Sequence, residues 1–261
     1  MNHNRQPRFL RLLPCVALAG MLCAASVSAT PIALSDQEMS SVNAQGLFVL
    51  ENSSNGLDFS TIALNADVTL NANLKNILLG TKNGVSDIDI SAMQFGRSDG
   101  GDQARLVQIS NPYIQFVFDN TQSGHNKVVG MRIGFDGISG DVGFLANVIS
   151  GSMYIKGKNS GELLDATGQR WTGSTVPCDD TCKKTTTYLN LSQIGAITAG
   201  DQTGPSRDFW ISMLKSPVQF QAPANSTLSA PPEAQAGYWL NWRDKLVALS
   251  AMLPPNRAPG Q

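Results

Sequence analysis

Residues Ile62 to Leu74 constrain this chain more than any other stretch. Ile62, Leu64, Ala66, Val68, Leu70, Ala72 and Leu74 are apolar, and Asn65, Asp67, Thr69, Asn71 and Asn73 alternate with them; only Ala63 is out of pattern. Successive side chains of a strand point to opposite faces, so this period of two predicts a strand with one buried face and one wet face. The stretch holds thirteen residues, which at about 3.3 Å each would reach roughly 43 Å, longer than most strands. A strand that long must twist strongly, bend or break. The fold class it predicts is mainly β: a long curved antiparallel sheet or a β-sandwich-like domain.

The rest of the chain continues the theme. Asn83-Gly84 is a hairpin signal because both residues tolerate positive φ, and Val85 to Phe95 reads as the return strand. Leu106–Ile109, Tyr113–Phe118 after Pro112, and Lys127–Phe135 read as further strands. Ile138-Ser139-Gly140-Asp141-Val142-Gly143-Phe144 is echoed by Ile149-Ser150-Gly151-Ser152-Met153-Tyr154-Ile155, and more loosely by Ile90 to Phe95. That spacing predicts successive hairpins or rungs of one sheet, with glycines at bends or bulges. Gly161 to Thr187 reads as an elaborated loop, and Tyr188–Ile197, Phe209–Leu214 and Val218–Gln221 as strands. Two helices are expected. Ser35 and Glu38 have capping-box spacing, which predicts a short N-terminal helix over Ser35–Gln45. Trp239, Trp242, Leu246, Leu249 and Leu253 fall on one helical stripe before Pro254-Pro255, which predicts a C-terminal amphipathic helix packing across the sheet.

The chain begins with Arg5, Arg8 and Arg11, an apolar stretch from Leu12 to Ala25, and the small-residue pattern Val27-Ser28-Ala29. This is the layout of a cleavable secretory signal, with an apolar core too short to span a bilayer. The expected organisation is a signal peptide over 1–29, a helical lead-in over 30–46, a β-rich domain over 47–222, and a linker plus helix over 223–261. Cleavage removes three of the 19 basic residues and none of the 20 acidic ones, leaving a net charge of −4. No basic run suited to phosphates remains, which argues against nucleic acid as a partner. Cys15 and Cys23 leave with the signal, while Cys178 and Cys182 stay. In an oxidising compartment that pair predicts a disulfide pinning the turn between them; half of a zinc site is the alternative.

Catalytic groups are sparse. His125, the one histidine outside the leader, sits among turn formers and reads as an exposed loop residue. No G-x-S-x-G, H-E-x-x-H or P-loop pattern occurs, and a Ser–Lys dyad has no diagnostic spacing. Asp87 with Asp89, and Asp136 with Asp141, could pair for calcium or acid–base work, but alternating Asp and Ile is also the ordinary way to wet a sheet face. The reading assigns no catalytic, metal or cofactor residue. The one candidate surface is apolar: Ile62, Leu64, Val68 and Leu70, with Trp239 and Trp242 covering them, as a core face or a groove for an apolar ligand.

Ala33-Leu34-Ser35-Asp36-Gln37-Glu38-Met39-Ser40-Ser41-Val42-Asn43-Ala44-Gln45, directly after the leader, resembles the A-L-x-D-x-x-M-S-x-V-x-G-Q opening of exported surface proteins of Gram-negative bacteria, some filament-associated. Ala44 stands where glycine is usual. The resemblance implies a Gram-negative envelope and a surface role. Together these features predict an exported, non-enzymatic envelope or surface protein, structural or adhesion-related, with other envelope proteins as partners and no transmembrane segment after cleavage. The alternative is a carrier whose curved sheet holds a lipid or other apolar molecule.

Overall fold

The computed structural model describes residues 48–52, 56–121, 127–158, 163–172, 191–223 and 228–257. All lie in the second of the two units into which the chain divides, Val42–Gln261. Among the described residues, twelve strands form one sheet: β1 (Phe48–Asn52), β2 (Leu57–Ala63), β3 (Asp67–Leu70), β4 (Ala72–Leu79), β5 (Ile88–Phe95), β6 (Val107–Asp119), β7 (Lys127–Lys156), β8 (Leu163–Trp171), β9 (Ala196–Ala199), β10 (Phe209–Leu214), β11 (Gly237–Trp242) and β12 (Leu246–Ser250). Pairing is antiparallel except where β11 and β12 meet β7 in parallel. The mainly β expectation holds. Among the described residues no helix is long and apolar enough to cross a membrane.

The alternating stretch Ile62–Leu74 breaks rather than running straight. It supplies the end of β2, all of β3 and the start of β4. The first break lies opposite a kink in β6, where Asn111 takes φ 45° before Pro112. Backbone bonds from Leu64 N to the Pro112 carbonyl (2.8 Å) and from Asn111 N to the Ala66 carbonyl (2.9 Å) tie the two irregularities together. The Asn83-Gly84 turn forms as its residues demand, with φ 54° and 78° and a bridge from Lys82 to Val85.

The strands expected at Lys127–Phe135, Ile138–Phe144 and Ile149–Ile155 are not successive hairpins but one 30-residue strand, β7. Straight, it would reach roughly 100 Å, far beyond the roughly 17 Å radius of gyration of a domain this size, so it must coil. Its glycines let it bend without leaving the ladder: Gly140, at φ 129°, sits where a Cβ would lie 3.2 Å from the Cα of Val107. Successive parts of β7 then serve different neighbours: β6 and β10 first, β9 and β5 next, β8 and β11 last. The ladder from β7 through β10 and β11 thus returns to β7, and a second one, through β9 and β12, does the same. The sheet closes on itself around Ile88, Ile90, Phe144, Ile149, Met153, Ile155 and Trp242, all buried. A second cluster, around Phe59, Trp210, Phe220 and Trp239, lies under the segment in which Val218 bridges Ala234.

The expected C-terminal helix is corrected. Tyr238–Leu253 forms β11 and β12, separated by a turn in which Lys245 takes φ 51°. Trp239, Leu240, Asn241 and Trp242 are all buried. Trp239 belongs to the second cluster and Leu240 and Trp242 to the first, so β11 is covered on both faces. A strand buried on both faces loses its period of two, and the residual spacing of its large side chains imitates a helical stripe. The signal peptide, the helix over Ser35–Gln45, His125, Cys178 and Cys182 lie outside the described residues.

Candidate functional site

Two surfaces flank the strands β2, β6, β7 and β10. On one face, Ile62, Ile114, Ile133 and Ile211 are direct partners across four strands, and the row ends at Leu240 of β11, buried in the core. Moving outward, the row emerges into solvent: Ile133 is 49% exposed, Ile114 38% and Ile62 41%. Beside it run Phe116, Met131 and Met213, also direct partners, which with Val128 and Leu214 line an apolar pocket of about 240 Å³. The face that closes over the core at Leu240 therefore continues uncovered, like half of an unfinished sandwich.

The six residues of the expected apolar surface do not stay together. Ile62 and Leu64 are exposed, whereas Val68 and Leu70 are partly buried against the first core cluster. Trp239 and Trp242 face opposite ways along β11: Trp239 joins the second cluster, and Trp242 the first, against which Val68 and Leu70 pack. One member of each carboxylate pair is engaged by other groups. Asp87 accepts from Arg170 Nε (3.1 Å) and from the Tyr238 backbone N–H (3.1 Å), tying β8 and β11 to the turn before β5. Asp141 is held by Arg97 Nε at 2.7 Å and Thr198 Oγ1 at 2.7 Å. Among the described residues no cluster of three or more His, Cys, Asp or Glu could hold a metal ion.

The opposite face carries a polar groove of about 480 Å³, with Thr61, Gln115, Arg132, Asp136, Arg207 and Asp208 among its walls. Arg132 sits between its cross-strand partners Gln115 and Ser212. Its guanidinium lies 4.4 Å from the Phe220 ring centroid, 5.4 Å from Trp210 and 5.5 Å from Tyr113, distances at which ring quadrupoles attract a cation. None of these groups stood out in the sequence, because Arg132 reads as one more polar residue on the wet side of an alternating strand. A signal was there in Gly130-x-Arg132-x-Gly134, with glycines two residues away on the same face. A Cβ on Gly134 would lie 2.7 Å from Tyr113 Oη and 2.8 Å from Trp210 Cβ, so only glycine leaves room for the rings around Arg132.

Asp208 is buried at the groove and accepts from Trp210 Nε1 at 3.1 Å. Burial pushes its carboxyl above the ordinary carboxylate value, against the opposing pull of Asn241, Trp210, Arg132 and Arg243. An acid with a raised folded pKa keeps its proton in the native state at pH values where the unfolded chain has released it. Stability therefore falls as pH climbs through that window, and the loss is complete above the folded value. Asp208→Asn keeps an acceptor for Trp210 without the charge. It is expected to raise Tm near pH 7 and to lose that advantage at about pH 3, below the free carboxylate value. Paired thermal melts check this, and an equal effect at both pH values would contradict it.

No family model, curated protein or solved structure matches this chain.

Proposed function

We propose that this chain is an exported, non-enzymatic protein of the cell envelope or surface that works by self-assembly, two copies packing their uncovered sheet faces together. The observation that carries the reading is the row Ile62, Ile114 and Ile133, consecutive across three strands and each more than a third exposed. With Val128, Met213 and the partly covered Phe116 and Met131, the strip presents on the order of 500 Å² of apolar surface, at the upper end of what monomers expose. Two such strips face to face bury about 1,000 Å², the lower bound for a specific interface. Like faces of two sheets pack well because side chains of both interdigitate about 10 Å apart. The arginine-led start and the cleavage pattern at Ala29 support export, and the opening after it supports a Gram-negative surface.

Sedimentation of the protein lacking residues 1–29 tests this. A concentration-dependent dimer is expected, and Ile133→Lys, which plants a charge at the middle of the exposed row, is expected to return it to monomer without lowering Tm. A wild-type monomer at every concentration overturns the reading. The carrier reading draws on the 240 Å³ apolar pocket between Phe116, Met131 and Met213, wide enough for the end of an acyl chain. A monomer that retains a lipid in native mass spectrometry would favour it instead.

A further inference from the structure

We propose that the polar groove on the face opposite the isoleucine row binds a small hydroxy-carboxylate of sugar-acid size, with Arg132 as its counter-charge. The starting point is an arginine with one hydrogen-bonding atom that the protein leaves unmet. Arg132 Nε is buried and has no hydrogen-bond partner. None of the ion pairs among the described residues includes Arg132. Arg132 is otherwise partly exposed, but a cationic N–H cut off from water is costly unless paired, and the three surrounding rings and the attraction of the Asp208 carboxyl offset only part of that cost. The acids in the groove are already engaged: Asp136 accepts from Asn111 Nδ2 at 3.1 Å, and Asp208 from Trp210 Nε1 at 3.1 Å.

The second, independent observation is Gln115. It is 3% exposed, lines the groove and is the direct cross-strand neighbour of Arg132. Its Nε2 donates to Thr61 Oγ1 at 2.7 Å, while its Oε1 is buried without a partner. If the amide is turned over, Thr61 can donate to the oxygen and the nitrogen is left instead, so one end is unmet either way. The groove thus offers a cation and, beside it, a buried amide with one end unmet.

These two groups select the ligand. A guanidinium fork matches a planar carboxylate. Asp136 and Asp208 in the same wall penalise a doubly charged phosphate by like-charge repulsion. The unmet end of Gln115, turned toward the groove, then meets a hydroxyl, which both donates and accepts, next to the carboxylate. Thr61, Ser110, Asn111 and Gln221 supply further hydroxyl and amide partners, and about 480 Å³ admits a ligand of one or two sugar rings.

Titration of the whole mature protein with galacturonate, followed by the Trp210 indole N–H resonance, tests the assignment, because that ring lies 5.4 Å from the Arg132 guanidinium. Saturable binding of galacturonate is expected, with glucose weaker by at least about tenfold and acetate, which lacks the hydroxyls, weaker as well. Arg132→Gln is expected to weaken galacturonate at least about tenfold, and Arg132→Lys, which keeps charge but not the fork, by an intermediate factor. Equal binding of galacturonate and glucose, no saturable shift at Trp210, or full affinity in a folded Arg132→Gln would each overturn the proposal. Should Arg132→Gln fail to fold, the wild-type comparison of galacturonate with glucose decides alone.

Discussion

Gly151→Ala is expected to lower Tm by roughly 10 °C, whereas Gly84→Ala lowers it by only a few degrees. Both substitutions add one methyl group, so the difference lies in what that methyl meets. Gly151 faces Leu240 where β7 and β11 run in parallel, and a Cβ there collides with the Leu240 carbonyl oxygen and lies 2.9 Å from its carbon. Backbone cannot rotate out of the way as a side chain can. β11 must retreat, and this is the one place where the ladder β7–β10–β11 returns to β7. Overpacking costs about 1–3 kcal/mol by itself, and losing the ladder bonds adds to it. For a domain of this size each kcal/mol moves Tm by about 2–4 °C. Gly84, at φ 78°, has nothing within 4 Å of such a Cβ. Alanine there meets only the strain of the left-handed region, about 1–2 kcal/mol. Differential scanning calorimetry of the two variants checks the contrast, and equal shifts would mean that the sheet does not close at Gly151.

Local chemistry made much of this fold legible. The Asn83-Gly84 turn, the strand Phe209–Leu214 and the alternation around Ile62 needed only period, turn residues and β propensity. Closure was not legible, because it depends on which distant segments share one strand. Gly137, Gly140 and Gly143 look like turn punctuation, yet in β7 they bend the chain while the ladder continues on both sides. The candidate surface was half visible. Ile62 was singled out for its pattern, but its partners Ile114, Ile133 and Ile211 come from strands up to 149 residues away in sequence. Exposure was hidden as well, since period two tells which residues share a face and not whether anything covers it. Arg132 was invisible for a different reason. Its distinction is an Nε without a hydrogen-bond partner, and a missing contact leaves no mark on the residue itself.

Trp242→Ala is expected to be the most destabilising single truncation, costing about 3–5 kcal/mol. The side chain is fully buried in the first cluster, its ring meets Phe209 edge-on at 5.0 Å, and Phe209 stacks on Phe135 at 5.1 Å. Its Nε1 donates to Ser206 Oγ at 3.0 Å, and that hydroxyl donates to the Asp244 carbonyl at 2.6 Å. Truncation therefore empties a large volume and strips Ser206 of its donor. The decisive experiment adds Trp239. On a helix, two tryptophans three residues apart share a face and one cavity, and their truncations couple. On β11 they point into separate clusters, and their effects should add. Because two alanines together could exhaust the 5–15 kcal/mol typical of a whole domain, the cycle is best run with Trp239→Phe and Trp242→Phe in urea. Additivity within about 0.5 kcal/mol supports two cores divided by one strand. A coupling of 1 kcal/mol or more would put both rings in a single core, and the placement of β11 between the two clusters would fall with it.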